Sequence, residues 1–165
     1  MKRIILTILI AVTAATTLSA QEIYTQIRRA AQEKVNDPTA NLLVRNFSMF
    51  KLEALNYMAI KMKEEFPDSS AELLDKEALS MNIFITNYTK SLVASKNMPA
   101  NYQKKVIKAY IDASISNPLF NDSDTELIHS YFADGTSLTR FSLDTDWRRA
   151  VLAAKEAIKA IEENK

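Results

Sequence analysis

Backbone breakers are nearly absent from this chain: its 165 residues include four prolines and one glycine. Average usage would supply roughly twenty of the two together. A turn-rich sandwich, a barrel and a glycine-lined phosphate loop all need more. The sequence is therefore read as all-α, with about six helices in a compact, mostly antiparallel helical bundle forming a single domain.

The breakers mark the joints. Pro38, Pro67, Pro99, Pro118 and Gly135 separate apolar-periodic segments. Proline lacks a backbone donor and fits a helix start or a turn. Helices are expected near 22–36, 38–66, 69–96, 98–116, 123–133 and 145–163. Asp37 before Pro38 reads as an N-cap, and Ser69 with Glu72 and Ser123 with Glu126 read as capping boxes. Asp144, Thr145 and Asp146 put acceptors and negative charge at the last helix start.

Periodicity supports the same helices. Leu74, Ala78, Met81, Ile85, Tyr88 and Leu92 step by four and three, as one helical stripe should. Trp147, Val151, Ala154, Ile158 and Ile161 repeat this, as do Tyr102, Val106, Ala109 and Ala113. Segment 38–66 carries two stripes: Leu43, Phe47, Phe50, Ala54 and Tyr57, then Leu52, Leu55, Ala59, Met62 and Phe66. Two apolar faces require neighbours on two sides, which places this helix near the centre.

Residues 1–20 read as a secretory signal peptide: Lys2 and Arg3, an apolar run over 4–15, then Leu18-Ser19-Ala20 before the cut. The alternative, a membrane anchor, needs about 20 apolar residues, and Thr16, Thr17 and Ser19 end the run early. The expected mature domain is 21–165. It is secreted or periplasmic, with no stable membrane insertion after cleavage. Removing Lys2 and Arg3 leaves nineteen basic residues against twenty acidic, so no basic field favours nucleic acid.

Composition also removes familiar chemistry. No cysteine means no disulfide, thiolate nucleophile or zinc knuckle, and one histidine rules out a multi-histidine metal site within one chain. No catalytic set, cofactor or metal is assigned. His129 follows Glu126 by three residues, as a general base or as a helix-boundary histidine. The oxygen-rich run 121–126 lacks the central glycine of a calcium loop and fits helix initiation. The Asn-x-Ser/Thr triplets at Asn46, Asn87 and Asn121 are read as chance matches. Met49, Met58, Met62 and Met81 fit a core or a soft groove.

The longest stretch without helical period is 134–146, and connections of that length are often functional. Arg140, Phe141, Asp144, Asp146 and Trp147, with His129, are the candidate partner or ligand residues. Arginine and tryptophan suit capture of a carboxylate, sugar or peptide. In the alternative reading, Leu138, Phe141 and Leu143 cap the bundle and Trp147 belongs to its core. The expected function is an exported, non-enzymatic helical protein binding an envelope or extracellular protein or another envelope component. One alternative is a carboxylate-based hydrolase using Asp144 or Asp146 with Glu126. Another is a small-ligand carrier using Tyr88, Tyr110 or His129.

Overall fold

The computed structural model describes residues 22–122 and 141–163. These residues form five helices and no strand: α1 (Glu22–Asn36), α2 (Leu42–Glu65), α3 (Ser70–Ser95), α4 (Ala100–Ile115) and α5 (Trp147–Glu163). The sixth expected helix, near 123–133, lies outside the described residues, as do the signal segment 1–20 and the capping pair Ser123 and Glu126. No described helix is long and apolar enough to cross a membrane.

Proline punctuates as its chemistry requires. Pro67 and Pro99 sit between helices, and Pro118 follows α4. The first proline joint differs from expectation. Asp37 does not cap α2: its Oδ1 accepts from Thr39 N at 2.9 Å and Thr39 Oγ1 at 2.6 Å, closing a local turn. Helix α2 starts at Leu42, where the Asn41 side chain accepts from Leu43 N at 2.8 Å. The Ser69 capping box also does not form. Ser69 has φ −123° and ψ 8°, outside the extended backbone that aims a cap hydroxyl at the first turn. Glu72 pairs with Lys76 instead.

Helices α2 and α3 run antiparallel. Phe47 meets Tyr88 edge-on, with centroids 5.8 Å apart, and Lys51 meets Asn82 one turn along. Among the described helices the hub is α3, which packs against α1, α2, α4 and α5. Segment 38–66 was expected there. The first α2 stripe is largely buried and the second partly so, but among the described helices only α1 and α3 pack on α2. Phe120 and Phe141, from outside the helices, cover other parts of it. Helix α3 also has a second face, through Phe84 and Glu77. The carboxylate of Glu77 breaks the apolar stripe and hides that face from a periodicity argument.

An aromatic cluster closes the core. Phe141 lies 5.7 Å from Phe50, 5.2 Å from Phe84 and 5.1 Å from Tyr88. Trp147 lies 6.0 Å from Phe50 and 5.3 Å from Phe84. These edge-to-face pairs contribute beyond the area they bury.

Candidate functional site

Four of the sequence-derived candidates meet at the joint between α4 and α5. Phe141 and Asp144 are 1% exposed and Trp147 is fully buried. Asp144 Oδ1 accepts from Leu119 N at 2.9 Å and Phe120 N at 2.8 Å, and Oδ2 accepts from Asp122 N at 2.8 Å. Asp146 caps α5, accepting from Arg149 N at 3.0 Å. Ser142 N donates to Ser114 Oγ at 2.8 Å, and the Ser114 and Thr145 hydroxyls lie 3.0 Å apart. These side chains face inward and hold the joint together. Phe141, Leu143 and Trp147 pack into the core, as the packing alternative has it. Arg140, His129 and Glu126 lie outside the described residues.

The rings of Tyr88 and Tyr110, two of the ligand-carrier candidates, meet at a tilt of 57° with centroids 5.1 Å apart. Burial raises both phenols above the ordinary tyrosine value. Tyr110 Oη shares a 3.0 Å hydrogen bond with Ser91, whereas Tyr88 Oη has no partner among the described residues. Met58, Met62 and Met81 are core; Met49 is exposed.

Glu77 was not foreseen. Its Oε2 accepts from Trp147 N at 2.8 Å, seventy residues along the chain, and it is 1% exposed. Burial, reinforced by the Asp146 charge, pushes its carboxyl up to about 7, against the amides of Trp147 and Arg148 and the Arg148 charge. It stands at the α5 N-terminus, where backbone amides favour an acceptor.

A concavity lies elsewhere among the described residues. A groove of about 850 Å³ runs between α1, α2 and α3. Helix α1 contributes Ile27, Ala30, Ala31 and Lys34; α2 contributes Leu43, Val44, Phe47, Ser48 and Lys51; α3 contributes Asn82, Ile85, Thr86, Thr89, Lys90 and Val93. Its origin is local. Asp75 grips the start of α1, accepting from Tyr24 N at 2.8 Å and Ile23 N at 3.3 Å. Beyond that anchor α1 offers the small side chains of Ala30 and Ala31 to the groove, and Ala31 is its one buried residue. Ala30 and Ala31 line the groove together with Phe47 and Ile85, and side chains this small leave space that larger residues would fill.

The hydroxyls in this groove are occupied. Ser48 Oγ donates to Val44 O at 2.8 Å, Thr86 Oγ1 to Asn82 O at 2.7 Å, and Thr89 Oγ1 to Ile85 O at 2.8 Å. Each is bonded to its own helix, so these hydroxyls add little polarity to the lining. A polar pair stands among them: Lys51 Nζ donates to Asn82 Oδ1 at 2.7 Å. Burial pushes its ammonium below the ordinary lysine value. No carboxylate lies within ion-pair distance of it among the described residues.

Lys51 carried a signal in the sequence. It sits four residues after Phe47 and three before Ala54, within the first stripe of α2; Asn82 sits four after Ala78 and three before Ile85. Each interrupts an apolar face. Only their meeting across two helices turns two interruptions into one polar point. A second cleft of about 450 Å³ lies between α3, α4 and α5, edged by Lys90, Lys155, Lys159 and Glu162. Among the described residues, no group of three acidic or histidine side chains is placed to hold a metal. Comparison with protein-family models, curated proteins and solved structures finds no match for this chain.

Proposed function

We propose that this chain is an exported, non-enzymatic binding protein that receives an envelope component in the groove between α1, α2 and α3. The observation that carries this reading is the groove itself: about 850 Å³, with its hydroxyls turned onto the backbone. That volume lies within the range of roughly 300–1,000 Å³ in which small-molecule pockets fall. Two buried carboxylates support a non-enzymatic role. Asp144 and Glu77 both accept from backbone amides, which is structural work. Residues 1–20 supply the export signal in this reading. Domain 21–165 is then a mostly antiparallel bundle with a further helix near 123–133.

Export and recovery of the full chain test this. The intact mass of the recovered protein should match a chain beginning at Gln21; retention of residues 1–20 would overturn export. Native mass spectrometry should show a bound adduct that is lost in Ala30→Trp, where an exposed alanine on the groove wall becomes bulky. Arg140→Ala should keep the adduct. The reverse pattern would move the site to the 134–146 loop.

A further inference from the structure

We infer that the occupant of this groove is a single-chain fatty carboxylate, with its hydrocarbon chain along α1 and its carboxylate on Lys51 Nζ and the Asn82 amide. The inference rests on the groove being the binding site and names the chemistry it selects. Three observations carry it. The lining accepts an alkyl chain because its hydroxyls are already bonded to their own helices. An ammonium stands within that lining, with an amide oxygen as its hydrogen-bond partner and no carboxylate among the described residues to neutralise it. The remaining charges of the lining are net positive: Lys34 and Lys90 against Glu33.

A half-buried cation in an apolar wall is costly unless an anion pairs with it. A bound carboxylate removes that cost, and its two oxygens match the two adjacent donors, Lys51 Nζ and Asn82 Nδ2. Burial pushes the free ammonium below the ordinary lysine value, and a bound anion acts in the opposite direction. A neutral alcohol gains the apolar contact without the ion pair. A cationic amphiphile meets like charge.

The probes are dodecanoate, decanoate, dodecanol and dodecyltrimethylammonium, titrated calorimetrically into the exported protein. Dodecanoate should bind at one site, about tenfold tighter than decanoate, because two buried methylenes separate them. Dodecanol should bind more weakly, and the cation weaker still. Lys51→Met keeps the stem and removes the charge; it should weaken dodecanoate tenfold or more and leave dodecanol within twofold. Asn82→Asp gives Lys51 an internal counter-ion and should produce the same selective loss, which guards against a folding defect in the first variant. Dodecanoate affinity unchanged in both variants would overturn the inference, as would equal affinity for the carboxylate and the cation. Capture by anionic phospholipid vesicles without binding of free dodecanoate would overturn it in favour of a membrane surface. In those three cases the groove reading survives if Ala30→Trp still abolishes binding. If no amphiphile binds, or Ala30→Trp changes nothing, the groove reading fails and takes the inference with it.

Discussion

A single carboxyl illustrates how strongly position governs side-chain chemistry here. Exposed glutamates such as Glu53 and Glu65 lie on the helix surface, whereas Glu77 is buried against the start of α5. Desolvation raises it from 4.5 to about 7. The folded protein therefore holds a proton that the unfolded chain releases between these values. The resulting stability is fully present below the ordinary glutamate value and is lost as pH rises through about 7. The unfolding free energy should fall over that window by up to roughly 3 kcal/mol. Glu77→Gln keeps an acceptor for Trp147 N and cannot ionise, so urea unfolding at several pH values should show a flatter profile. A slope unchanged in that variant would assign the dependence to another group.

At the scale of elements, joints decide the arrangement as much as helices do. Asp144 ties 119–122 to the α5 approach through three backbone amides. Nearby, Asn121 holds φ 53°, a left-handed conformation that asparagine tolerates better than most residues. Hydrogen bonds to a charged acceptor are worth about 1.5–3 kcal/mol each, so Asp144→Ala should cost at least roughly 3 kcal/mol. Asp144→Asn, which keeps one oxygen, should cost less. Hydrogen exchange should report the loss at the Leu119, Phe120 and Asp122 amides first. If those amides remain protected in Asp144→Ala, the carboxylate does not hold the joint. The same residue shows the reach of sequence reasoning. Acceptors before the last helix were legible as a start signal, and Asp146 caps α5 accordingly. That Asp144 turns back to a segment more than twenty residues earlier was not, because the local pattern contains no record of a distant amide.

For the whole molecule, the aromatic cluster makes folding and core integrity one event. Trp147 is the single tryptophan, is fully buried, and touches Phe50 from α2 and Phe84 from α3. Its fluorescence should shift in one transition that coincides with the loss of helical circular dichroism, as two-state unfolding requires. Trp147→Ala should destabilise by about 3–5 kcal/mol; separate transitions for the two signals would show instead that α5 detaches alone. The sequence by itself determined the all-α class and the places where the described helices begin and end to within a few residues. Missing donors at proline and a 3.6-residue apolar period are properties of the chain's own neighbourhood. Tertiary structure alone decided that α3 is the hub among the described helices and that Lys51 meets Asn82 beside a groove; of the two sequence readings of Phe141 and Trp147, it selected packing into the core. Those outcomes depend on which face stands opposite. The small alanines of α1 line a groove only because the three helices pack together, and a stripe on one helix does not specify its partner.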